Sequence, residues 1–200
     1  MTATRPTGYG KCAFLFLLAG SLFVQGQGPD MGWRYSVLPS FIRPSQSDEI
    51  PGSSTSILAV ARDSGYGELE YATTRGAKRW ARERATQDGS IWLMDAHVEF
   101  RRDENRVIEH ILITADDPLM SAMVMAPAFY EWFEPMLGDG FHVIIPDRNT
   151  IALYPRLAGE IPPEDATALL ELYQLATYPI SREVFRAQPG GLQADGILED

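Results

Sequence analysis

An α+β domain, with an antiparallel or mixed sheet built from hairpins and two or three packing helices, is what this sequence predicts. Three observations carry that expectation. Alternating apolar and polar runs flank short turn-forming segments at residues 97–114 and again at 141–154. Residues 73–86 and 163–178 repeat their apolar side chains at helical spacing. The segments follow one another without regular strand–helix–strand alternation and without an internal repeat, which argues against a parallel, doubly wound sheet.

Composition sets the bounds. The 200 residues are 45% hydrophobic and 22% charged, which is ordinary for a globular chain and not for a disordered one. A formal net charge of −10 speaks against non-specific binding to nucleic acid or to an anionic membrane, because both need a positive field. The single cysteine, Cys12, lies close to the N-terminus. A domain starting after it has no disulfide framework, thiolate nucleophile or cysteine-based metal site.

The first 26 residues have the three-part pattern of a secretory signal peptide. Arg5 and Lys11 are their only charges, residues 12–24 form an uncharged and largely apolar run, and Val24-Gln25-Gly26 suits cleavage. The run is shorter than the roughly 20 residues of a membrane span. The expectation is therefore an exported chain, periplasmic or extracellular, with an uncleaved N-terminal anchor as the alternative. No membrane span is expected after cleavage.

Residues 27–55 read as an irregular lead-in, with a short strand at 33–38 followed by Pro39, Pro44, Pro51 and a scatter of serines. A single α+β domain is expected over residues 56–200. Residues 57–62 read as a buried strand ended by Asp63-Ser64-Gly65. A helix follows at 73–86, where Ala77, Trp80, Ala81 and Ala85 share one side, although Gly76 weakens its start. Residues 91–95 read as a strand, and 97–102 with 106–114 as a hairpin around Asp103-Glu104-Asn105.

The densest apolar stretch outside the leader is 118–156. It predicts a helix over 126–137, with Pro127 in its first turn, Gly138 closing it and an irregular last turn at Pro135. A second hairpin follows, 141–145 with 150–154 around Pro146-Asp147-Arg148-Asn149. The helix over 163–178 opens on proline, places Glu164 and Asp165 at its positive end, and gathers Ala166, Leu169, Leu170, Tyr173 and Ala176 on one face. Residues 184–187 and 192–194 around Gly190-Gly191 predict a closing hairpin.

Several of these residues match a known pattern. They are Pro127-Ala128-Phe129, Leu137-Gly138, the strand end Val143-Ile144-Ile145-Pro146-Asp147-Arg148, and the late Tyr178-Pro179-Ile180-Ser181 followed by Glu183-Val184-Phe185. On them, residues 117–200 resemble the uncharacterised bacterial DUF1444-like family, whose pattern favours Asp where this chain has Asn149. The resemblance implies an α+β fold and no established activity.

The candidate chemistry starts at the Asp147-Arg148 turn. An aspartate there can act as acid, base or ligand, and an arginine offers a planar fork for carboxylate or phosphate. The same residue types also form turns for backbone reasons alone. His97, His110 and His142 are the only histidines. All fall on expected strands, none has metal-ligand spacing, and alternation turns His142 away from Phe141, Val143 and Ile145, towards solvent. Met120, Met123, Met125 and Met136 can hold soft Cu(I) or fill a core, and apolar neighbours favour the core.

Arg75, Lys78, Arg79 and Arg82 line one face of the first helix, where they can grip phosphate or an acidic partner, although such a stripe is more often a solvated face, here paired with Glu83. Glu131, Glu134, Asp116 and Asp117 offer carboxylates, but glycosidase chemistry needs a separation in space that spacing in sequence does not give. No nucleophile elbow, Walker loop or dinucleotide fingerprint occurs. The expectation is a binding or interaction module of the cell envelope, leaning away from an enzyme, with no cofactor, no metal, no nucleic acid and an envelope protein as partner. The alternatives are an exported hydrolase using Asp147 with Arg148 and a histidine such as His142, and a structural envelope component.

Overall fold

The computed structural model describes residues 32–65 and 68–199. The expected leader lies outside them. The described residues form an α+β fold with two antiparallel sheets. No helix among them is long and apolar enough to cross a membrane.

The first sheet is centred on β3 (Ser56–Asp63), whose run ILAVA is buried almost throughout. On one side it pairs with β1 (Arg34–Pro39), in a register running from Arg34 opposite Ala61 to Pro39 opposite Ser56. On the other side it pairs with β2 (Ser47–Glu49) and β4 (Leu69–Tyr71), which meet its two ends. For the described residues 32–55, this corrects the reading of 27–55 as a lead-in outside the domain. Val37 and Leu38 are buried in the core, and Pro39 sits at the strand terminus, where a missing N–H costs little. The prolines and serines that read as a linker shape tight connections inside the fold.

Helix α1 (Arg75–Asp95) begins where the Thr74 hydroxyl accepts the Ala77 N–H at 3.2 Å. It runs on to Asp95, so the expected strand at 91–95 is helical. Leu93 is buried there and Trp92 packs against the same core. Five apolar-rich residues fit either period, and packing decides between them.

The second sheet has six strands in the order β10-β9-β7-β8-β6-β5. The hairpin of β5 (His97–Arg102) and β6 (Ile108–Thr114) forms one edge. A 3-10 segment, Met120–Met125, leads into α2 (Pro127–Leu137), with proline at its start and Pro135 inside its last turn. That turn closes regularly, because the Gly138 N–H donates to the Glu134 carbonyl at 2.8 Å. Strands β7 (His142–Asp147) and β8 (Thr150–Tyr154) form the central hairpin, and a 3-10 turn, Arg156–Ala158, follows. Helix α3 (Pro163–Leu175) precedes the closing hairpin of β9 (Glu183–Gln188) and β10 (Gly191–Ile197).

Each face of this sheet has its own apolar cluster. On one face Ile111, Ile113, Val143, Ile151, Leu153 and Phe185 join the main core with the first sheet, α1 and α2. On the other face Leu112, Ala152, Ile144 and Val184 lie side by side across four strands, beneath Leu169 and Leu170 of α3. Both faces are covered there, so alternation along these strands separates two cores rather than core from solvent.

Candidate functional site

The Asp147 turn is a strut. Its carboxylate accepts the Asn149 N–H at 2.8 Å, and the Asn149 side chain donates to the Ala115 carbonyl at 2.7 Å, tying the β7–β8 turn to the end of β6. The Arg148 guanidinium lies 3.8 Å from the Tyr178 ring centroid, a close cation–π contact. A hollow of about 180 Å³ beside it is lined largely by apolar side chains, among them Leu38, Phe41, Ile42 and Tyr178, with no histidine. Asp147 and His142 occupy opposite ends of β7, so the chain does not bring them together as an acid–base pair.

The histidines each meet a different carboxylate. His97 Nε2 lies 2.8 Å from Glu99 on the exposed edge strand, His110 Nδ1 lies 3.0 Å from Asp165, and His142 Nε2 lies 3.4 Å from Asp195. His142 is not the solvent-facing residue that alternation suggests. Its side chain is only 15% exposed, because α3 and the closing hairpin cover that face of the sheet. Among the described residues no group of three or more His, Cys, Asp or Glu is placed to hold a metal ion.

The methionines divide. Met120 and Met123 are buried in the main core, whereas Met136 is exposed on α2, so they do not form one thioether cluster. Asp117 pairs with Arg34 and also accepts the Leu119 N–H at 2.9 Å, which fixes the entry to the Met120–Met125 segment. Glu131 lies exposed on α2, with Glu134 half-buried one turn later.

The basic stripe on α1 is more organised. Lys78 Nζ reaches the Asp48 carboxylate at 2.5 Å and the Ser47 carbonyl at 2.9 Å. Arg82 lies 3.7 Å from the other Asp48 oxygen and over the Tyr35 ring, and the Tyr35 hydroxyl donates to Asp48. Burial alone raises a carboxyl pKa, but the Lys78 and Tyr35 hydrogen bonds outweigh it, so Asp48 titrates below the ordinary carboxylate range. Burial, and then the Asp48 contact, push the Tyr35 phenol upward. Arg75, Lys78, Arg79 and Arg82 line a shallow, open hollow of about 460 Å³. Lys78 and Arg82 are held in place from below by Asp48, while Arg79 is 82% exposed and only loosely paired with Glu83 at 4.0 Å.

Sequence reasoning missed a polar row across the second sheet. Arg101 pairs with His110 in register, Tyr154 with His142, His142 with Arg186, and Arg186 with Gln193. The His110 and Tyr154 rings, 5.3 Å apart, close the remaining gap. The row lies one step along from the apolar row beneath α3. Asp165, in the first turn of α3, reaches His110 and Arg101, and burial followed by that carboxylate raises the Tyr154 pKa. A hollow of about 150 Å³ sits over Tyr154 and Asp165, and no serine, threonine or cysteine nucleophile lines it. Only the alternation of polar and apolar residues in β6 and β9 hinted at the row. Its continuity depends on register, which is not written in any one segment.

No protein-family model, curated protein or solved structure matches the chain.

Proposed function

We propose that the chain is a binding module of the cell envelope that engages an acidic partner protein through the basic face of α1. One observation carries this reading: four cationic side chains line a single open hollow in a protein whose net charge is −10. Asp48 and Tyr35 hold Lys78 and Arg82 in place before any partner arrives, which lowers the ordering cost of a charged contact. Arg75 and Arg79 are exposed beside them. Such a surface favours fast, salt-sensitive association with a negatively charged partner. The hydrolase alternative on Asp147, Arg148 and a histidine lacks this support, since Asp147 and Arg148 are engaged in the turn.

A fluorescent glutamate-rich peptide, titrated against the protein at low and moderate salt, tests the reading. Arg75→Glu with Arg79→Glu is expected to weaken binding by about tenfold or more with an unchanged melting curve. Equal affinity in wild type and double variant sinks the proposal. The envelope location rests on the N-terminal sequence pattern. Its check is the intact mass of the protein from fractionated native cells, where a species starting near Gln27 in the exported fraction is expected. A cytoplasmic species starting beyond the apolar run removes it.

A further inference from the structure

The hollow beside the β7–β8 turn is lined by apolar side chains and by a single charge, that of Arg148. Leu38 and Ile180 are its buried lining, whereas Phe41 and Tyr178 are left 75% and 47% exposed at its mouth. No aspartate or glutamate lines it, although the chain carries a net charge of −10. Among the described residues the Arg148 guanidinium has no hydrogen-bond or ion-pair partner, only the Tyr178 ring 3.8 Å from its central carbon. Standing on edge at that distance it would drive a nitrogen into the ring, so the two planes lie close to parallel. Such a stack uses the face of the guanidinium and leaves the N–H donors in its plane unspent. The walls are fixed by backbone bonds: the Ser40 N–H donates to the Thr55 carbonyl at 2.8 Å, and the Ile180 N–H to the Pro146 carbonyl at 2.9 Å.

Each part of the hollow sets a requirement on what fills it. Its volume is about 180 Å³, against the roughly 150 Å³ of an apolar cavity that encloses benzene. It therefore takes one ring or one branched aliphatic group and little more, which suits a small molecule. Apolar walls favour a ligand with an apolar body, and the exposed aromatic surface of Phe41 and Tyr178 gains by being covered. The guanidinium, with its fork of free donors, matches a carboxylate taken through two parallel N–H bonds. We propose that this hollow binds a small monocarboxylate with an aromatic or branched aliphatic body, its apolar part between Phe41 and Tyr178 and its carboxylate on Arg148. The site shares no lining residue with the hollow on α1 and does not depend on that face having a partner.

The test titrates 3-phenylpropionate into the full chain and follows the Phe41 and Tyr178 ring resonances by NMR. Saturable binding with a Kd of about 1 mM or tighter is expected, with both rings shifting. The neutral amide, 3-phenylpropionamide, has the same body without the charge and is expected to bind about tenfold more weakly. Arg148→Gln is expected to weaken the acid by a similar factor and to leave the amide unchanged. The comparison of acid with amide uses the unaltered protein, so it stands even if Arg148→Gln loosens the turn. Phe41→Ala removes an exposed ring, keeps the fold and is expected to weaken acid and amide alike. No saturable binding, equal affinity for acid and amide in the wild type, or binding that Phe41→Ala leaves unchanged overturns the site.

Discussion

The buried carboxylate of Glu183 accepts a hydrogen bond from the Ser53 hydroxyl at 2.6 Å, joining positions 130 residues apart. The same carboxylate accepts the backbone N–H groups of Ser54 and Thr55 at 2.7 and 3.2 Å, and the Ser56 hydroxyl donates to Ser181 Oγ at 2.8 Å beside it. The loop entering β3 is thereby fastened to the start of β9. One carboxylate couples the two sheets.

Glu183→Ala is expected to cost about 3 kcal/mol, because several buried donors lose a charged acceptor together. The pH dependence follows from its titration. Burial raises the Glu183 pKa, but the donors from Ser53, Ser54, Ser56 and Thr55 outweigh it, and the folded value falls below the ordinary 4.5. A depressed folded pKa means that the unfolded state takes up the proton first. The stabilisation is complete above about pH 4.5 and is lost as pH falls through the lower folded value. Urea melts at neutral pH and at about pH 3.5 check this, with Glu183→Gln expected to show a smaller acid loss than wild type. An equal acid loss in both proteins contradicts the coupling.

Asp48→Asn is expected to lower the pH at which Tyr35 ionises while leaving it above the ordinary 10.0. Burial is the larger cause of the elevation and survives the substitution, whereas the Asp48 charge does not. Because the folded pKa is raised, the Tyr35 contribution to stability is present below pH 10.0 and is lost as pH rises beyond it. Carbon-13 labelled tyrosine, followed by NMR through an alkaline titration, reads the shift directly. A Tyr35 resonance that titrates identically in both proteins shows that Asp48 does not govern it.

Much of the fold was legible because its signals are local. The alternation over 97–114 and 141–154 needs no partner to be seen, and Pro163 with Glu164 and Asp165 marks the start of α3 within a single turn. The lead-in was not legible for the opposite reason. The short strand at 33–38 could be read, but Pro39 and the serines around it look like linker chemistry, and only the pairing of Val37 with Leu58 places that strand inside the domain. His142 shows the limit most clearly. Alternation assigned it to the second face correctly, but whether that face meets water depends on α3 and β10, more than twenty positions away in sequence. The polar row joins residues from different strands, and beyond the alternation within β6 and β9 no segment of the sequence carries the register that makes it continuous.

Arg148→Ala and Asp147→Ala separate the two jobs of one turn. Arg148→Ala removes the contact over Tyr178 at 3.8 Å and is expected to cost about 0.5–2 kcal/mol. Asp147→Ala leaves the Asn149 N–H without its acceptor at an exposed site, with an expected cost of about 0.5–1.5 kcal/mol. Neither is expected to alter peptide binding at α1. Loss of binding in Asp147→Ala with an unchanged melting curve restores the turn as a functional site.

Leu170→Ala tests whether α3 covers the apolar row as described. Leu170 is 6% exposed and belongs to the cluster with Leu169, Ile144, Ala152 and Val184, so truncation leaves a void against a sheet whose other face is fully packed. A rigid floor of that kind collapses poorly, and the expected cost is about 2–5 kcal/mol. Leu175, on the same helix, is 84% exposed, and Leu175→Ala is expected to change stability by no more than about 0.5 kcal/mol. The pair of variants is decisive because helix propensity treats both substitutions alike, leaving burial as the difference. Denaturant midpoints read it. If Leu170→Ala melts with wild type while Leu175→Ala does not, α3 presents a different face to the sheet, and the boundary between apolar row and polar row must be redrawn.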